Sequence, residues 1–406
     1  MFQSIISRLL RRRHFWRYAS FSEIAELYAS RVMRLLALRM ISLFIALYLY
    51  QNGLDLMFIA MYFMIYFIAK VFIAYFAAKF AAKFGPKHGI LLGNLLYIPA
   101  LVAFTFVPEY GIYAVALFGL FQAWSVTIYD LCYLVDFSKV KHSDHAGKEL
   151  GFMQIFEKIT TALSPLIGGA VAFIFGVEAT LWLSAIIFAF ASWPLMRSAE
   201  QTKTGQKLSF NGFPWRATWR SMVAESAIGF DLVASTTVWI LFIALTIFAG
   251  SGDDLYLKIG ALTSVTFMTS FIAAFVFGRL IDRRRGKDLL IVSTVVNSMT
   301  HLLRSFITTP VGVATTNVAS ETSTTGYSMA FTRGMFDSAD RSGNRIAYLL
   351  CIEVALNLGG MLACAIFAIC LYLFPASNTI SMQVFFGVAA AYTLLIGVAN
   401  FTLYRK

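Results

Sequence analysis

Twelve apolar runs, each about the length of a bilayer crossing, follow one another along this 406-residue chain with short polar loops between them. A hydrocarbon layer of about 30 Å takes roughly 20 residues of α-helix to cross, and helix is imposed there because no water is present to pair an open backbone. The runs fall near 32–51, 56–78, 89–107, 111–135, 150–175, 178–197, 222–249, 255–281, 288–309, 311–333, 346–374 and 380–403, the tenth being the most polar. Composition supports the same solvent. With 59% hydrophobic and 13% charged residues, the chain is too apolar to cover its own surface in water. The sequence therefore predicts an all-α membrane protein with twelve transmembrane helices.

The net charge of +12 could point to nucleic acid, but the placement of the charges excludes it. With the N-terminus in the cytoplasm, 26 of the 33 lysine and arginine residues fall in cytoplasmic segments, while the opposite loops hold Lys258 alone beside Asp55, Glu109, Glu178, Asp253 and Asp254. This asymmetry is the positive-inside signal. It predicts both termini in the cytoplasm, a multi-pass protein of the plasma (inner, cytoplasmic) membrane, and an even number of crossings. Arg8, Arg11, Arg12, Arg13 and Arg17 beside Phe2, Ile5, Ile6, Leu9 and Leu10 read as an interfacial basic helix on an anionic leaflet. Cys132, Cys351, Cys364 and Cys370 all lie in apolar runs and are expected as free, packed thiols.

The chain also repeats itself. Leu43-Phe-Ile-Ala-Leu47 of the first run returns as Leu241-Phe-Ile-Ala-Leu245 of the seventh, an offset of 198 that Asp55 and Asp253 share. Ser143-Asp-His-Ala-Gly-Lys148 matches Ala339-Asp-Arg-Ser-Gly-Asn344 at 196, and the same offset sets Glu157 on Glu353 and Thr161 on Asn357. Internal duplication of this kind is the sequence mark of transporter folds. It divides the chain into a basic amphipathic segment (1–30), a six-helix lobe (31–197), a cytoplasmic linker (198–221) and a second six-helix lobe (222–406).

The loop Gly278-Arg-Leu-Ile-Asp282-Arg283-Arg284-Arg285-Gly286-Lys287 resembles the cytoplasmic loop signature of the major facilitator superfamily, with one extra residue before Gly286. The first half keeps its outline in Ala78-Lys-Phe-Ala-Ala82-Lys83-Phe-Gly85-Pro-Lys87, with alanine at the aspartate position. Ser164-Pro165-Leu-Ile-Gly168-Gly169 is similar to the Gly-Pro-x-x-Gly-Gly element of the superfamily's antiporter branch, with serine for the first glycine. The resemblance implies two pseudo-symmetric six-helix bundles that work by alternating access. It makes Gly278, Asp282, Arg283 and Gly286 a conformational latch, and Pro165, Gly168 and Gly169 a bend or seal in the fifth helix. The helix-four arginine often tied to proton coupling is missing: Gln122-Ala-Trp-Ser-Val-Thr-Ile-Tyr-Asp130 has no cation.

Charge inside hydrocarbon is costly, so intramembrane ionisable residues are the functional candidates. They are Asp130, Glu157, Asp231, Glu321 and Glu353, with Asn357 and Thr161 one turn beyond the two repeated glutamates. The resemblance implies that helices one, four, seven and ten line a central cavity. It directs Asp130, Asp231 and Glu321 into that cavity, with Glu157 and Glu353 at its walls, and leaves Arg304 and His301 of helix nine outside it in structural roles. Trp124 and Trp239 are candidates to stack on a substrate. Static pairing of these acids with Arg31, Arg34, Arg39, Lys70, Lys158 or Arg304 is the competing reading, since buried charge demands a partner.

No nucleophile–base pair and no phosphate-cradling loop occurs, so neither an enzyme nor a nucleotide-driven pump is expected, and no cofactor is called for. His142 and His145 with Asp144 are too thin a cluster for a metal site. The expected activity is secondary active transport of a small organic solute, proton-coupled and with export favoured. The apparent excess of acids in the cavity suggests a cationic substrate. Uptake or facilitated diffusion, and a non-transporting receptor or scaffold, are the alternatives. The expected partners are the substrate, protons and membrane lipid; a monomer is expected.

Overall fold

The computed structural model describes residues 21–42, 44–140, 146–197, 208–250, 254–282 and 285–404. Among the described residues, twelve helical segments stand where the apolar runs predict them and no strand occurs. They are α1 (Phe21–Ser42, continued by Ile45–Gln51), α2 (Leu56–Phe84), α3 (Pro86–Thr105), α4 (Ile112–Val140), α5 (Ala146–Phe175) and α6 (Val177–Ala191). The second half repeats the pattern as α7 (Trp215–Val233, running on to residue 247), α8 (Leu255–Asp282), α9 (Gly286–Arg304), α10 (Pro310–Arg341), α11 (Arg345–Leu373) and α12 (Asn378–Thr393). Nine spans found among the described residues are long and apolar enough to cross a membrane, and α9 and α10 are too polar to be among them.

Helix ends follow local chemistry. Asp55 caps α2 by accepting from the Phe58 amide (2.7 Å), and Thr309 caps α10 just before Pro310. Between α2 and α3 the chain turns on Gly85 alone, at φ +95, a conformation open to glycine, with Pro86 starting the next helix. In α10 the many hydroxyls that lower its hydropathy bond back to the helix's own carbonyls. Thr316 reaches Gly312 O, Ser323 reaches Ser320 O and Thr325 reaches Glu321 O, each at 2.8 Å. A polar helix is thereby kept stable away from bulk water.

Helices α1 to α6 form one bundle and α7 to α12 the other, and they meet along two seams, α2 against α11 and α5 against α8. At the second seam main chains touch. A β-carbon on Gly169 would stand 2.9 Å from Tyr256 O, and one on Gly260 would stand 2.5 Å from Pro165 O. Small residues are what permit such an approach between membrane helices. Helix α5 runs without a break through Pro165, so Pro165, Gly168 and Gly169 lie within a packing surface in a continuous helix. Residues 21–30, read from sequence as part of the basic segment, are helical and continuous with α1, and 215–221 of the expected linker belong to α7. Residues 1–20 lie outside the described residues.

Candidate functional site

Between the two lobes lies a cavity of about 320 Å³, within the range of small-molecule sites. Its wall takes Arg31 and Arg39 from α1, and Glu157, Lys158 and Thr161 from α5. Helix α7 contributes Asp231, Ser235 and Trp239, α9 contributes Arg304, and α10 contributes Asn317, Ser320, Glu321 and Tyr327. Helix α7 departs from regular winding at this depth, with π turns at Ala234–Val238 and Ile243–Ile247 on either side of Trp239–Phe242. Wide turns of this kind re-aim side chains and are frequent at functional sites.

The charges are organised in pairs. Arg31 Nε donates to Glu157 Oε1 at 2.8 Å, Asp130 lies 3.6 Å from the same guanidinium, and the Tyr133 ring sits 4.5 Å beneath it. Lys158 of the first lobe is ion-paired with Glu321 of the second, so this pair crosses the cavity between lobes. A second cross-lobe pair lies in the α2–α11 seam. There Lys70 Nζ is 3.6 Å from Glu353 Oε1, which also accepts from Asn357 Nδ2 at 2.9 Å.

Asp231 sits in a knot of donors. Its Oδ1 accepts from Asn297 Nδ2 (2.9 Å), Ser235 Oγ (3.3 Å) and His301 Nε2 (2.5 Å), and its Oδ2 accepts from the Tyr327 hydroxyl. Arg304 Nη1 donates to His301 Nδ1 at 3.1 Å, which requires a lone pair on that nitrogen. The remaining contacts of Arg304 are to neutral groups: Ser235 Oγ (3.0 Å), Ser320 Oγ (2.9 Å) and the face of Trp239 (4.8 Å). Trp239 Nε1 in turn donates to Asn317 Oδ1 at 2.6 Å.

Of the residues singled out from sequence, Glu157, Asp231 and Glu321 line the cavity, and Asp130 stands behind Arg31. Glu353 and Asn357 do not line it; packing of α11 on α2 buries both in the seam, with 3% of Glu353 exposed. Trp124 also lies elsewhere, on a face of α4 against Phe76 and a shallow apolar groove with Phe80, Leu92 and Leu96. Gly278 lies in α8 and Asp282 ends it, while Gly286 opens α9 against the Tyr404 ring. Arg283 and the pair His142 and His145 lie outside the described residues, and no group of three metal-ligating side chains occurs among those described.

Two further expectations are corrected. Arg304 is in the cavity wall, because α9 ends beside Trp239 and the long guanidinium reaches past His301. The supposed excess of acids is absent as well: Arg31, Arg39, Lys158 and Arg304 face Glu157, Asp231 and Glu321. The signal was available in the sequence, since these four are among only six lysines and arginines lying neither in the cytoplasmic segments nor in an outer loop.

Two six-helix lobes enclosing a charged central cavity define a polytopic membrane transporter. The family model of the Major Facilitator Superfamily matches residues 27–335, and the chain belongs to that superfamily. The fold is similar to that of FucP, a Major Facilitator Superfamily transporter solved in the outward conformation. The match has 16% identity and a TM-score of 0.62, and covers 92% of this chain and 97% of that one. The nucleoside transporter NupG is similar at 13% identity and a TM-score of 0.67, with the same coverage. Comparison with curated proteins finds no match.

Proposed function

We propose that this protein is a secondary active transporter that carries a small organic solute through the central cavity by alternating access, with protons as the coupling ion. The observation that carries this reading is the Lys158–Glu321 pair. It joins α5 of one lobe to α10 of the other across the cavity, with both side chains partly accessible (15% each). Protonation of Glu321 removes the attraction that ties the lobes at this point. A solute that competes for Lys158 does the same. Proton and solute thus act on one shared link between two arrangements of the lobes, which is what coupling requires. FucP, described in a related solved structure as a fucose:proton symporter, gives a precedent for proton coupling on this fold.

The test is transport into proteoliposomes with and without an imposed pH gradient, using wild type and Glu321→Gln. Gradient-driven accumulation should fall at least tenfold in the variant while exchange of solute across the membrane persists. Accumulation indifferent to the gradient would leave a facilitator. Absence of any transport, with cysteine reporters on both mouths locked in one accessible state, would leave a receptor.

A further inference from the structure

Four basic side chains line the cavity, and two of them have no carboxylate partner. Arg31 is held by Glu157 and Asp130, and Lys158 by Glu321. Arg39 makes no hydrogen bond or ion pair to any described residue, and its Nε is buried. Arg304 is 2% exposed and is anchored only through neutral acceptors, and its Nε too is buried without a partner. Asp231, the acid nearest Arg304 through His301, has its oxygens occupied by four donors and offers no free carboxylate.

The lining therefore has one positive charge in excess. Counting Arg34 and Asp130, which lie behind Arg31, leaves the excess at one. A guanidinium in a site shielded from water costs several kcal/mol where its donors are left unsatisfied, and those donors match the oxygens of a carboxylate or a phosphate.

We infer that the transported solute is a small organic anion whose carboxylate or phosphate oxygens are held by Arg39 and Arg304. The inference rests on the transport reading above and gives its substrate class. It reverses the cationic substrate that the carboxylates alone suggest. Occupation by an anion also gives Lys158 a choice of partner: protonated Glu321 releases it while the incoming anion raises the local negative charge.

The test is the thermal stability of the purified full-length protein in detergent. The probes are sodium benzoate, sodium gluconate, glycerol phosphate and inorganic phosphate, with glucose, uridine and tetraethylammonium as neutral and cationic counterparts, each at millimolar concentration. At least one anion is expected to raise the melting temperature, and the ranking of carboxylates against phosphates identifies the headgroup. Its apparent affinity should fall about tenfold or more in Arg39→Gln and in Arg304→Gln, as expected for loss of a charge-assisted hydrogen bond. Arg39→Lys and Arg304→Lys retain charge but lose the planar guanidinium donors and should weaken binding less. Should either glutamine variant fail to fold, its lysine counterpart and the wild-type ranking decide. Stabilisation by a neutral or cationic probe alone, or by no anion, overturns the inference. If such a neutral or cationic probe is also transported in a Glu321-dependent way, transport stands and only the anion assignment falls.

Discussion

The two lobes carry the same polar knot with opposite charge at its centre. In the first, Arg34 of α1 donates to Asn94 of α3 (2.8 Å), contacts Ser125 of α4 (3.5 Å), and lies 3.8 Å from the Tyr129 ring. In the second, Asp231 of α7 accepts from Asn297 of α9, beside Ser323 and Tyr327 of α10. Ser125 and Ser323, like Tyr129 and Tyr327, stand 198 residues apart, the offset of the repeat, and Arg34 and Asp231 fall within one residue of it. The lesson lies in how each charge is compensated. A cation can rest on ring faces and amide oxygens, as Arg34 does over Tyr129, Tyr97 and Phe188. A carboxylate has no such option and must collect N–H and O–H donors, so Asp231 organises four side chains while Arg34 sits among neighbours that are also packed by aromatic contact.

That difference sets the sizes of the expected effects. Asp231→Ala would leave His301, Asn297 and Tyr327 aimed at nothing and remove the anion that faces Arg304 through the imidazole. The expected loss is about 3–5 kcal/mol, read from unfolding of the purified protein in mixed micelles. Arg34→Met should cost less, about 1–3 kcal/mol, because it strands neutral acceptors such as Asn94 Oδ1 and no counter-charge. Equal losses at the two sites would break the comparison and mean that burial of charge of either sign governs both knots alike. The smallest effect is expected at Trp124, which touches neither knot. Trp124→Leu should leave stability within about 0.5 kcal/mol and transport unchanged, and a loss of transport would return the α4 face to the substrate path.

Much of this architecture could be read from residues in order. Bilayer thickness fixes helix length, so all twelve runs became helices near their expected bounds, including the polar tenth, whose hydroxyls fold back on their own carbonyls. Intramembrane acids were equally visible as costly charges, and three of the five line the cavity. Their partners were not visible. Arg31 and Glu157 are 126 positions apart and Lys158 and Glu321 are 163 apart, so which base meets which acid depends on how whole helices pack. Repeat symmetry misled at Glu353. It matches Glu157 in register, but Glu157 meets a base of its own lobe at the cavity and Glu353 meets Lys70 of the opposite lobe in a seam. Arg304 was set aside because its helix is peripheral, yet a side chain of that length at a helix end reaches into space its backbone does not border.

The glycine-to-backbone contact between α5 and α8 has a mechanical consequence. Where Gly169 and Gly260 lie against carbonyls of the facing helix, no side-chain teeth interlock at these points. Tilting one bundle on the other there needs no rotamer to change and opens no void to be refilled. The joint is smooth where it is tightest, and resistance to motion is left to the ion pairs, the Tyr256–Gln51 hydrogen bond and the aromatic contacts that bridge the halves elsewhere.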